Sequence, residues 1–273
     1  RDDRRGGERM TEVAAVTVKE LRELTGAGMM DCKRALQDTG GDLEAAATLL
    51  REKGMASAAK RADRETTEGI VLVEADDKTG TIVAVGCETE PVSKNDDFEA
   101  FALDVLREVH DRGEDAVSAL EERRVELSGR LGENIRVAGA KRMTANAGEH
   151  FVSYVHLPAK KIGVLLKVKG GSPELPRELA MHIAFAKPAY TTRSEVPAEA
   201  IEAERAVLSN TDEVLSKPEN VREKIVEGML NKNFFGVSVL DDQTWIHDTS
   251  LTVSKALKQG GLELVDYAWY ALG

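Results

Sequence analysis

Three short amphipathic patterns open the folded part of the chain. Val18, Leu21 and Leu24/Thr25 fall on one helical face and Met29, Cys32, Ala35 and Leu36 on a second. Leu43, Ala46, Ala47 and Leu50 repeat at i, i+3, i+4 and i+7 on a third. Gly26–Ala27–Gly28, Gly40–Gly41 and Gly54 separate these patterns, since glycine takes the left-handed conformation that ends a helix without a steric penalty. Asp42 is placed to cap the third helix, and a basic run over residues 60–64 leads onward. The pattern predicts a three-helix module over residues 17–62.

Beyond Gly69 the apolar positions form short runs, 70–73 and 81–85, joined by the turn-forming Asp76–Asp77–Lys78–Thr79–Gly80, which predicts a β-hairpin. A helix follows, with Asn95 as its cap and Phe98, Phe101, Ala102, Val105, Leu106 and Val109 as its apolar stripe. A charged helix over 116–131 and a strand near 135–138 come next. The same order of elements then returns about 80 residues later: runs 151–157 and 162–168 around a turn at Pro158, then a helix carrying Leu175, Leu179, Ile183 and Ala186. Helices over 198–208, 221–230 and 252–257 and a strand over 262–270 complete the chain. The repeat predicts an α+β fold with two related subdomains, each a small antiparallel sheet with covering helices. The boundaries read as a disordered tail (1–10), a helical domain (11–65), a first core subdomain (66–148) and a second one with a C-terminal segment (149–273).

Composition narrows the class. With 42% hydrophobic and 31% charged residues this is an ordinary globular chain, and no apolar run approaches the roughly 18 residues a membrane span needs. Residues 1–9 lack the apolar core of a secretory signal, and Met10 reads as the natural start. Two cysteines, Cys32 and Cys87, are too few for a disulfide framework or a zinc site and point to the reducing cytoplasm. A net charge of -11 opposes direct binding to a nucleic-acid backbone, so neither nucleic acid nor membrane is expected as a partner.

No pattern of catalytic chemistry emerges. Gly26–Ala27–Gly28 lack the preceding strand and the continuation of a phosphate-binding loop and read as a turn between helices. Cys32 shares an apolar face with Leu36 and reads as a small hydrophobe. Cys87 lies beside Glu88 and Glu90, carboxylates that raise a thiol pKa and suppress its reactivity. The five histidines, His110, His150, His156, His182 and His247, show no ligand spacing, and His182 falls beside the Leu179/Ile183 stripe. Glu121–Glu122 read as a solvated helix face. No catalytic residue, metal or cofactor is expected.

The run Val18 through Lys33, followed by Ala35–Leu36, resembles the N-terminal signature of translation elongation factor Ts of the bacterial type. The resemblance extends, in family order, through Cys87–Glu88–Thr89–Glu90–Pro91–Val92–Ser93–Lys94–Asn95, Gly132–Glu133–Asn134–Ile135, Lys161–Ile162–Gly163–Val164–Leu165, Ala180–Met181–His182–Ile183–Ala184 and Ile225–Val226–Glu227–Gly228. It implies that the helical domain is ubiquitin-associated-like and that the chain binds the GTPase elongation factor Tu and promotes release of its GDP. The implied role is that of a non-enzymatic exchange factor in translation elongation.

In the family, an Asp-Phe pair within a Thr-Asp-Phe-Val loop presses into the GTPase domain near the magnesium site. Here the corresponding loop is Thr89–Glu90–Pro91–Val92, with the anion kept and the aromatic replaced by proline. That departure leaves two functional readings: an exchange factor, or a divergent paralogue that binds elongation factor Tu as a chaperone or sequestering partner with little exchange. The resemblance further implies that Arg22, Met29 and Met30 face the GTPase domain and that His156 stands close to the exchange loop. Helix packing is the competing role for the two methionines, above all for Met29. Trp245–Ile246–His247–Asp248 replace a family segment that touches the partner outside its GTPase domain, with Trp245 either an anchor or a core residue. Family members often pair through insertions in the second subdomain. No long helical hairpin is evident here, and a homodimer of the complex stays open.

Overall fold

A computed structural model describes residues 14–273. The stretch read as a tail and the start at Met10 lie outside the described residues. The described chain divides into two compact units, one comprising residues 14–70, Ala84–Gly139 and Leu272–Gly273, the other Val71–Val83 and Ala140–Ala271.

The first unit begins with α1 (Ala15–Thr25), α2 (Met29–Asp38) and α3 (Leu43–Arg61). Gly26 ends α1 in the left-handed conformation, φ 67°, with its N–H on Arg22 O, and the Asp42 carboxylate accepts the Ala45 N–H at the start of α3. Val18, Leu21, Cys32, Ala35, Leu36 and Ala46 form the buried core of this module. Three expectations need correction. At 100° per residue Thr25, not Leu24, continues the Val18–Leu21 stripe; Leu24 is 64% exposed. Met29, at the first position of α2, projects past the Cys32 face and is 56% exposed. Gly54 does not end the third helix but lies inside α3, where it faces Gly129 of another helix at close range.

Next come β1 (Glu68–Ala75) and β2 (Thr79–Cys87), a one-turn helix α4 (Glu90–Ser93), α5 (Asp96–Arg112), α6 (Glu121–Leu131) and β3 (Arg136–Thr144). The three strands form a sheet in the order β1-β2-β3, and every residue of β2 is buried. The predicted α5 stripe is buried in full, and Asn95 Oδ1 accepts the Asp97 and Phe98 N–H groups as its cap. Residues 116–131 are not one helix: Glu114–Leu120 is 3₁₀ and α6 starts at Glu121. The unit boundary runs through the strands of this sheet.

The second unit contains β4 (Glu149–Val155), β5 (Ile162–Gly170) and β6 (Leu262–Ala271), an antiparallel sheet in the order β4-β5-β6 with Ser153 opposite Leu165 and Leu165 opposite Ala268. Residues of α7 (Leu175–Ala186), Leu179 and Ile183 among them, pack with Val164, Leu166 and Val168 of β5 in its core. Then come α8 (Ala198–Ser209), α9 (Asp212–Leu215), α10 (Glu219–Met229), a π-helical turn Leu230–Phe235 and α11 (Gly236–Ser238), with a smaller core around Val214, Val226, Leu230 and Phe235. The last helix, α12 (Val253–Gly260), is capped by Thr252, whose hydroxyl accepts the Lys255 N–H. The fold is α+β, with three N-terminal helices followed by two three-stranded antiparallel sheets and their helices.

Candidate partner-binding site

Three of the singled-out residues are exposed on the three-helix module. Arg22 is exposed on α1, and Met29 and Met30, 56% and 62% exposed, sit at the start of α2. Large apolar side chains gain most from burial, and these two are left open at one helix end.

The segment Thr89–Glu90–Pro91–Val92 is not an open loop. Thr89 is extended (φ -128°, ψ 152°) and Glu90–Ser93 close one helical turn, with Pro91 in the first turn, where its missing N–H costs no hydrogen bond. Thr89, Glu90 and Pro91 are exposed and Val92 half-buried. The Glu90 carboxylate accepts from Lys94 Nζ at 2.6 Å, four residues on, and the Glu90 carbonyl accepts from Ser93 Oγ at 2.7 Å. That neighbour draws the Lys94 pKa upward through the hydrogen bond and charge of Glu90. The turn therefore presents an anion and a rigid ring at the surface.

Beneath the turn, Cys87 is fully buried and its thiol donates to Thr89 O at 3.3 Å. Burial first and the Glu133 charge second push its pKa up to about 12. Of the two carboxylates expected from sequence, Glu88 and Glu90, only Glu88 contributes, and least; desolvation dominates. The main-chain N–H groups of Glu88 and Thr89 are both held by the Glu133 carboxylate, a residue sequence reasoning quoted but gave no role.

The remaining candidates lie in the second unit. His156, exposed just beyond β4, places Nδ1 2.8 Å from the Tyr154 hydroxyl. Of the two roles open for Trp245, the structure gives the core one. It is 3% exposed and stacks on His182 with ring centroids 5.2 Å apart, so its indole cannot serve as a surface anchor. Ile246 and His247 remain at the surface, and His247 Nε2 lies 3.2 Å from Glu178 O.

His182, read only as adjacent to a stripe, is fully buried. Gln243 donates through Nε2 to Val237 O, which turns its Oε1 towards His182 Nε2 at 3.0 Å, while His182 Nδ1 accepts the Ile246 N–H at 3.4 Å. The proton thus sits on Nε2 of a neutral ring. Burial, aided by His247, lowers the His182 pKa against the opposing Gln243 hydrogen bond.

A cavity of about 720 Å³ opens in the first unit among α3, α5 and α6. Its arginines are already engaged: Arg51 with Glu122 and Glu126, Arg123 with Asp104, and Arg130 with Asp97. Among the described residues no group of three or more His, Cys, Asp or Glu is arranged to hold a metal ion. No described helix is long and apolar enough to cross a membrane.

Comparison with known proteins bears on this geometry. The family model for elongation factor Ts matches residues 88–273. An elongation factor Ts from Halorhodospira halophila is 42% identical over 274 residues, covering 96% of this chain and 92% of that protein. One from Idiomarina loihiensis is 38% identical over 271 residues, covering 96% and 91%. One from Pseudomonas fluorescens strain Pf-5 is 38% identical over 270 residues, covering 97% and 92%. The three-helix module lies outside the family model but inside these full-length matches, so the likeness runs through both units. The chain belongs to the elongation factor Ts family.

Proposed function

We propose that the chain is the guanine nucleotide exchange factor of elongation factor Tu in the cytoplasm. The observation that carries this reading is the exposed turn at Thr89–Val92, at the position of the family's exchange loop, with Glu90 in place as its anion. An exchange factor needs no bond-making group. It must bind the nucleotide-free GTPase better than the GDP form, and linkage then weakens GDP by the same factor.

In this reading Glu90 competes electrostatically near the partner's Mg²⁺ and phosphate site, while Pro91 acts as a small wedge. Arg22, Met29 and Met30 give a second contact on the GTPase domain. His156 supports the exchange contact, and Ile246 with His247 contacts the partner elsewhere. In this reading the reaction uses neither nucleic acid nor membrane.

The test is release of fluorescent GDP from the cognate elongation factor Tu at several free Mg²⁺ concentrations. The chain should accelerate release most at high Mg²⁺, where spontaneous release is slowest. A stable complex with unchanged release at every Mg²⁺ concentration removes the proposal and leaves the binding-only paralogue.

A further inference from the structure

Four residues hold one another across the base of the exposed turn. The Glu133 carboxylate accepts the N–H groups of Glu88 and Thr89 through Oε2, each at 3.0 Å, and the Thr89 hydroxyl through Oε1 at 2.5 Å. In return, Glu88 Oε1 accepts the N–H of Asn134 at 2.6 Å. Two segments 45 residues apart thus clasp through each other's carboxylates.

Glu133 is itself fixed. Gly132 caps α6 in the left-handed conformation, φ 76°, with its N–H on Ser128 O, and the buried Ser128 hydroxyl donates to Glu133 O at 2.5 Å. Asn134, 3% exposed, donates through Nδ2 to Ala62 O at 3.1 Å and Arg64 O at 2.8 Å, which ties the exit from the three-helix module to the same node.

Within the turn, Ser93 Oγ donates to Glu90 O at 2.7 Å and Lys94 Nζ to the Glu90 carboxylate at 2.6 Å, bonds that do not tie it to the α6–β3 segment. A Thr at the N-cap ordinarily folds its hydroxyl over the first turn, but the Thr89 side chain caps nothing in α4 and donates to Glu133 instead. A single four-residue turn does not persist on its own in water. A carboxylate that gathers three donors is a strong and geometrically demanding restraint.

We propose that Glu133 is the positioning residue of the exchange element, holding Glu90–Pro91–Val92 preset for the GTPase. This rests on the exchange-factor reading. Without the clamp the turn must become ordered against the partner as it displaces GDP, a cost that falls on the displacement step and not on first contact through the helical module.

The experiment compares the parent, Glu133→Ala and Glu133→Gln in stopped-flow release of fluorescent GDP across a range of factor concentrations. Deuterium uptake is followed in a peptide spanning residues 88–92, and thermal melts are run alongside. Glu133→Ala should lower the maximal release rate about tenfold while the half-saturating concentration stays within about threefold, since the carboxylate serves several charge-assisted bonds. Uptake in the peptide should rise. Glu133→Gln keeps an oxygen for the two N–H groups and should recover most of the rate.

Three outcomes overturn the clamp: an active parent matched by Glu133→Ala in maximal rate; unchanged uptake; or equal loss in Ala and Gln with both melts depressed, which marks a merely structural carboxylate. A parent that does not speed release sinks the exchange reading, and the proposal falls with it.

Discussion

In the proposed exchange turn, Pro91 stands where the resemblance places an aromatic, which would carry the largest apolar surface there. A buried aromatic wedge is worth about 1.5–3 kcal/mol of apolar burial, or one to two powers of ten in a rate or affinity. If the partner pocket accepts a ring of that size, Pro91→Phe should raise the maximal GDP-release rate by about tenfold or more. It should leave stability within about 1 kcal/mol, because Pro91 is exposed. Equal rates for variant and parent would show that the wedge argument does not apply to this chain. His182 makes a different prediction. Its folded pKa lies below the ordinary 6.5, so below that pH the unfolded chain takes up a proton the folded ring refuses. The stability it contributes is present above pH 6.5 and lost as pH falls through the lowered value, since an imidazolium cannot accept the Ile246 N–H. Urea midpoints measured from pH 7 to pH 5 should fall more steeply for the parent than for His182→Asn; parallel curves would refute the assignment.

The close crossing of α3 and α6 turns on two glycines, and a methyl group at each meets something different. A Cβ on Gly129 would sit 2.9 Å from Gly54 Cα and 3.0 Å from its carbonyl carbon, which is backbone that cannot rotate away. A Cβ on Gly54 would sit 3.5 Å from Gly129 Cα, an ordinary contact. Gly54→Ala should therefore stabilise by up to about 1 kcal/mol through helix propensity. Gly129→Ala, despite the same gain, should destabilise by about 1–3 kcal/mol through overpacking. Shifts of the same sign in denaturant titrations would contradict the crossing. What was legible in the sequence follows the same divide between local and distant. The α5 stripe, the Asn95 and Asp42 caps and the hairpin at residues 76–80 were readable because periodicity, capping and turns act within a few residues. Gly54 was read as a helix end because its reason for being glycine, Gly129, is remote in sequence. Glu133 escaped assignment for the same reason, and Trp245 could not be placed until His182 was seen beneath it. Met29 misled because a stripe drawn by angle ignores that the first residue of a helix has no preceding turn to pack on.

At the scale of the whole molecule the candidate contacts are divided between units: Arg22, Met29, Met30 and Glu90 in one, His156, Ile246 and His247 in the other. Strands of the first sheet contribute residues to both units, so neither unit is a simple segment of chain. Contacts of this kind produce exchange only if, summed over the molecule, they favour one state of the GTPase. Tight binding without preference releases nothing, however many residues touch. The quantity to measure is thus the coupling. Dissociation constants of the chain for nucleotide-free and GDP-bound elongation factor Tu give one ratio, and those of GDP for the free GTPase and for the complex give the other. The two ratios must agree by linkage, and typical couplings of 1–3 kcal/mol correspond to roughly 5–150-fold. We expect a ratio within or above that range for the parent and a larger one for Pro91→Phe, because the added apolar surface is buried only when GDP has left. A ratio near one in the parent would mean that Glu90 and Pro91 contact the GTPase equally well with GDP in place, and the chain would then be a partner that binds without exchanging.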